Sequence, residues 1–180
     1  MEIKAFTVLV IPFIVVAYLA VLLFLRPPRV VLLASLLGGL FMGVINVLVD
    51  LAAYYAHWWH YTLNGLILHV PLPLYITPVL VYGSIAYLLI WRFWTGRLRW
   101  LSLVLLYGVP VFCILRDILG AVTTSSYTVW ENAPLAAVFT VLMWLVMFFG
   151  GYFLFNLLAP AHQTLEDVQE KEVHLEKTSS

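Results

Sequence analysis

Five uninterrupted apolar runs, each long enough to cross a hydrocarbon core, leave this chain few folds to choose from. They are read at about residues 5–25, 31–54, 73–94, 100–120 and 134–159, and a membrane helix needs roughly 20 such residues. Continuous apolar sequence, in place of short alternating segments, selects helices over a barrel. With 64% hydrophobic and 10% charged residues among 180, the chain lacks the polar surface that would cover a water-soluble domain. The expected fold class is all-α: a polytopic membrane protein whose bundle of five transmembrane helices fills residues 1–160. Residues 161–180 turn charged and polar and are expected to form a short cytoplasmic tail, with Thr164 and Asp167 spaced like a modest N-cap pair. Pro12, Pro78 and Pro110 fall inside spans and predict local kinks.

Basic residues set the expected orientation. Arg26 and Arg29 lie between spans one and two, Arg92, Arg97 and Arg99 between spans three and four, and Lys171 and Lys177 in the tail. The other two connections carry no Lys or Arg, and only Lys4 precedes the first span. The positive-inside rule then places the chain in the cell membrane with its N-terminus outside and its C-terminus in the cytoplasm. The first span reads as a retained anchor, since it lacks a strong basic n-region and an A-x-A-like cleavage site, and Arg26-Pro-Pro-Arg29 follows it directly. The single cysteine, Cys113, excludes an intrachain disulfide framework.

The second span carries the first chemical signal. Gly39, Gly43, Asn46, Asp50 and His57 fall within about 40° of one line on a helix. Small and polar groups on one stripe avoid lipid and should face the bundle interior. Arg116 and Asp117 in the fourth span are the companions of Asp50 near the membrane interior. Asp50 and Arg116 fall at one depth, about a turn below the outer surface. The two form a structural salt bridge, belong to a functional pocket, or stay unpaired and exposed at the interface. Trp59, Tyr61, Trp130 and Glu131, with His57 and His60, join the same side and outline a rim above that floor. Tyr and Trp gather at any membrane interface, so the aromatics alone do not require a site.

The expected site therefore has Asp50, Asp117 and Arg116 as its chemical groups. Asn46, His57, Trp59, His60, Tyr61, Trp130 and Glu131 are its expected binding residues. His57 and His60 on adjacent helix turns, with Asp50 two turns below, could be drawn as metal ligands. Neither H-E-x-x-H nor C-x-x-C-H occurs, and no metal or cofactor is assigned. Phosphate-loop and Ser-His-Asp signals are absent, and the basic residues mark topology and form no nucleic-acid patch.

Residues 49–65 and 116–132 share an order: Asp50 or Asp117 at the outer end of a helix, Tyr-Thr ten or eleven positions later, then a Pro-led apolar span. Two parallel repeats would set both aspartates at one depth. The run from Asp50 through Trp59, Tyr61 and Gly65 to Pro71-Leu-Pro-Leu-Tyr75 also resembles the pattern D-x8-W-x-[FY]…G…P-x-E-E of the small integral-membrane lycopene cyclase domain. That resemblance implies a shared architecture and action on carotenoids or other isoprenoids, as a cyclase or hydratase. The family's paired glutamates, which would protonate an alkene and stabilise the cation, are replaced here by Pro73 and Leu74, and neither can do so. Asp50, Asp117 and Glu131 are the acids left on that side.

Three functions fit these residues. One is a membrane enzyme or binding protein for a lipophilic, isoprenoid-like molecule taken from the outer leaflet. Another is a structural or assembly subunit whose polar stripe docks a membrane partner or a second copy of the chain. The last is a transporter component with Asp50 and Arg116 on a solute path.

Overall fold

The computed structural model describes residues 3–95, 97–123 and 127–159. The expected tail, with Thr164 and Asp167, lies outside the described residues. Five helices long and apolar enough to cross a membrane are present among them, and the fold is all-α apart from one small ribbon. Helix α1 covers Ile3–Leu25, α2 Arg29–Tyr55, α4 Arg99–Val122 and α5 Ala133–Leu158. The third span is composite: a 3-10 turn over Leu72–Tyr75, a π-helix over Thr77–Ile85, then α3 over Ala86–Phe93. Strands β1 (Trp59–Tyr61) and β2 (Thr128–Trp130) pair antiparallel, Trp59 opposite Trp130 and Tyr61 opposite Thr128.

Helix α2 is gripped on two sides through its glycines. A β carbon on Gly38 would stand 2.7 Å from the Gly151 carbonyl oxygen of α5, and one on Gly151 would stand 2.6 Å from that of Gly38. On the neighbouring face, a β carbon on Gly83 would stand 2.6 Å from Gly39 Cα, and one on Gly39 would collide with the Val79 carbonyl. Hydrocarbon offers no hydrophobic drive between helices, so such backbone approach supplies packing that larger residues forbid. The stripe read from sequence is thus used inside the chain: Gly39, Gly43, Asn46 and Asp50 are all buried.

Prolines alone do not account for the irregular third span. α1 and α4 run on as α-helix past Pro12 and Pro110, whereas the π turns begin at Thr77-Pro78, where Gly39 and Gly43 press against Val79. Buried hydroxyls lock this region: Ser84 Oγ lies 2.8 Å from Ser35 Oγ and 3.0 Å from Tyr18 OH, joining α1, α2 and the π segment. Tyr87 OH donates to the Phe148 carbonyl at 2.8 Å and ties α3 to α5. Outward-facing positions such as Leu23, Leu40, Val111 and Val146 remain apolar and exposed, as lipid contact allows.

Helix–strand–helix order occurs twice, in α2–β1–third span and in α4–β2–α5. Asp50 and Asp117 each stand five residues before the end of their helix, at Tyr55 and Val122. The two Tyr-Thr pairs of the sequence repeat meet in the ribbon, where Thr62 N–H donates to the Tyr127 carbonyl at 2.9 Å. Both arginine-bearing connections, at Arg26–Arg29 and Arg92–Arg99, fall at the opposite end of the bundle from the ribbon.

Overpacking at Gly39 should show directly. Gly39→Val is expected to lose about 1–3 kcal/mol or to prevent folding. Gly108→Ala, whose new carbon would meet only Val104 Cγ1 at 3.9 Å, is expected to be neutral or to gain up to about 1 kcal/mol from helix propensity. Thermal unfolding of both variants in mild detergent checks this, and equal midpoints would remove the glycine grip.

Candidate functional site

α2 ends in a way that aims the next residues back over the bundle. The Trp58 N–H donates to the Ala53 carbonyl at 2.9 Å and the His57 N–H to that of Tyr54 at 3.3 Å, while His57 takes φ of 56°. This is a Schellman C-cap, with histidine in the left-handed position that glycine usually fills. The chain leaves the cap directly into β1. Alternation along a strand then sorts the side chains, since successive residues point to opposite faces. Trp59 and Tyr61 of β1 and Thr128 and Trp130 of β2 line a cavity, while His60 and Val129 face away from it.

Three donors converge on Asp50 beneath this ribbon. Trp59 Nε1 donates to Oδ1 at 3.0 Å, and Tyr61 OH and Tyr75 OH donate to Oδ2 at 2.9 and 2.6 Å. The aspartate is 2% exposed, and a buried carboxylate needs such partners because it is acceptor-only and costly to leave bare. One side chain on α2 thereby fastens the ribbon and the start of the third span. Tyr61 lies outside the spans, and burial first, then the charge of Asp50, pushes its phenol well above the usual value. Tyr61 therefore serves as a donor.

Arg116 does not pair with Asp50, contrary to the sequence expectation. Its Nε and Nη2 donate to Asp117 Oδ1 at 2.8 and 2.6 Å, and Nη1 donates to Tyr82 OH at 3.1 Å. The guanidinium also lies 5.6 Å from the ring centroids of both Tyr82 and Trp144, within cation–π reach of each. Trp144 Nε1 completes the cluster by donating to Asp117 Oδ2 at 2.7 Å. The physical reason is that Asp50 already has three donors, while Asp117 is the adjacent residue and bonds two of the guanidinium nitrogens.

Both clusters face one cavity of about 850 Å³. Of the residues read from sequence, Asn46, Asp50, Trp59, Tyr61, Arg116, Asp117 and Trp130 line it. Phe6, Val10, Phe13 and Ile14 of α1 and Leu119, Gly120 and Thr123 of α4 also line it. These two walls meet different neighbours: α1 packs against the 3-10 and π segments of the third span, and α4 against its α3 segment and α5.

His57, His60 and Glu131 are not part of the cavity wall. His57 Nδ1 and His60 Nδ1 lie 3.2 and 2.8 Å from the two Glu131 oxygens on the outer face of the ribbon. The expectation of two imidazoles on adjacent helix turns is corrected for the same reason: α2 stops at Tyr55, so His57 is a cap residue and His60 a strand residue. Hydrogen bonding to His60, with the neighbouring His57, holds the Glu131 carboxyl below its usual range.

Sequence reasoning missed Tyr75, Tyr82, Thr140 and Trp144 as cavity residues. Tyr75 closes the Pro71-Leu-Pro-Leu-Tyr75 run, and its nearness to two prolines is the available signal. Trp144, deep in an apolar helix and far from any interface position, was another, because a buried indole N–H needs an acceptor. Compared with protein-family models, with curated proteins and with solved structures, the chain matches none.

Two outcomes test this geometry. In double-mutant cycles, Asp50→Asn and Tyr75→Phe should couple by about 0.5–3 kcal/mol, whereas Asp50→Asn and Arg116→Gln should add within about 0.5 kcal/mol. The unfolding free energies of the single and double variants decide between these partners. A Glu131 carboxyl held low when folded contributes stability above the ordinary glutamate range, near about 4.3, and loses it as pH falls below that range. Ribbon amide exchange, corrected for intrinsic rates, should thus be protected at neutral pH and accelerate below about pH 4, with Glu131→Gln showing no such step.

Proposed function

We propose that this chain is a multi-pass protein of the cell membrane that holds a lipophilic, isoprenoid-like small molecule in the cavity beneath the ribbon. The observation that carries the reading is one space of about 850 Å³ walled by aromatic rings and floored by Asp50, Asp117 and Arg116. Pockets that take a small ligand whole have this size and this mix of apolar wall with a few polar groups.

The basic connections lie at the end away from the ribbon, so the positive-inside rule puts the ribbon and cavity at the outer leaflet, with the N-terminus outside and the C-terminus in the cytoplasm. Entry is lateral, between α1 and α4. Each contributes cavity-lining residues that are also largely exposed, Phe13 on α1 and Leu119 on α4. A molecule dissolved in the bilayer meets that gap without passing through water. The resemblance to the lycopene cyclase domain supports an isoprenoid ligand and not the cyclisation reaction, because Pro73 and Leu74 replace the family's acids. Chemistry on the bound molecule falls to Asp50 and Asp117, the carboxylates on the cavity wall, and the aromatic lining suits a cationic intermediate.

Purification from native membranes in mild detergent, followed by lipid extraction and mass spectrometry, tests the reading. An isoprenoid-like molecule should be retained near one per chain. Met143→Trp, which fills cavity volume from a buried position on α5, should lose it with little change in thermal midpoint. Identical extracts from both proteins, containing bilayer phospholipid alone, would overturn the proposal.

A further inference from the structure

Six polar or charged residues are buried among the described positions: Ser35, Asn46, Asp50, Ser84, Ser102 and Thr140. Four are satisfied. Ser35 and Ser84 bond each other, with Leu32 O and Tyr18 OH as further partners. Ser102 donates to the Ile90 carbonyl at 3.0 Å, and Asp50 has its three donors. Among the described residues, the Asn46 carboxamide and the Thr140 hydroxyl have no hydrogen-bond partner within the protein, although they are 8% and 4% exposed. Thr7 and Thr123 each donate back to the carbonyl four residues earlier. Thr140 does not follow that habit. Both unpartnered residues line the cavity.

Their relative position follows from contacts already described. Gly38 faces Gly151 and Ala53 packs with Ala136, which fixes an antiparallel register between α2 and α5. That register sets Asn46 level with Met143 and Thr140 level with Val49, so the two groups stand about one helical turn apart. Asn46 offers donors and an acceptor, and Thr140 one of each kind. Neither carries charge, and Arg116 is already engaged by Asp117 and Tyr82.

We propose that Asn46 and Thr140 form a polar subsite that reads one uncharged oxygen, a hydroxyl or a carbonyl, on the molecule held in the cavity. This rests on the lipophile-binding reading and narrows it to oxygen-bearing lipophiles. An unoxidised hydrocarbon would leave both groups without partners, and the cost of that is what discriminates between the two ligands. Asn46 lies one turn below Asp50 on the α2 stripe, and Thr140 is nearly level with Asp50.

The test uses the full chain in nanodiscs and two tritiated probes, the alcohol farnesol and the hydrocarbon farnesene, with empty nanodiscs correcting for partition. Wild type should bind the alcohol about threefold to tenfold more tightly, the worth of one buried hydrogen bond. Asn46→Leu should abolish that preference, so that the alcohol binds no more tightly than farnesene. Thr140→Val, nearly isosteric and safe for folding, should reduce it. Equal binding of the two probes by wild type would overturn the subsite while leaving the cavity reading standing. A preference that survives in Thr140→Val and Asn46→Leu would overturn it too. Failure of wild type to bind either probe above empty nanodiscs would remove the lipophile-binding reading and the subsite together.

Discussion

A carboxylate taken out of water must be given donors, and the architecture at the ribbon end is organised around giving them to Asp50. Trp59 and Tyr61 come from the ribbon and Tyr75 from the start of the third span. The acceptor on α2 thus ties the ribbon and the start of the third span to one point, beside the strand pairing that joins β1 to β2. The Schellman cap at His57 turns the chain toward Asp50, strand alternation selects which side chains look inward, and the cavity is the space left beneath them. Arg116 and Asp117 then meet each other, across from a carboxylate that already has its partners.

Much of this order was legible in the residues themselves. Apolar run length placed all five spans to within a few positions, because the bilayer demands one length of every crossing helix. The stripe from Gly39 to Asp50 was legible for a related reason, since helical geometry alone decides which residues share a face. What failed was whatever depended on partners distant in the chain. Strands of three residues carry too little periodicity to announce themselves, so His57 and His60 were read as a helical pair. Both instead sit on the ribbon's outer face with Glu131. The π turns at Thr77–Ile85 arise where another helix presses on Val79, and no local propensity encodes that. The choice of Asp117 over Asp50 by Arg116 likewise depends on where Tyr61 and Tyr75 come to rest.

Two kinds of contact share the task of holding α2. At one end it touches its neighbours through bare backbone, with Gly38 against Gly151 and Gly39 against Gly83. At the other it touches them through hydrogen bonds to a single acid. The first excludes space and the second encloses it. The helices are drawn tight where the glycines lie, and the cavity lies where the aspartates and their aromatic partners line it.

The ribbon also imposes an order on biosynthesis. β1 is made with the first helix pair and β2 with the second, so β1 must wait for α4 to be threaded through the bilayer before its partner exists. Until then Trp59 and Tyr61 have Asp50 but no neighbouring strand, and the roof over the cavity is half built. Truncated chains that stop before Thr128 would retain the acid and its donors yet lack Thr128 and Trp130 from the cavity wall, so the hollow takes its full shape only once the second strand has been made.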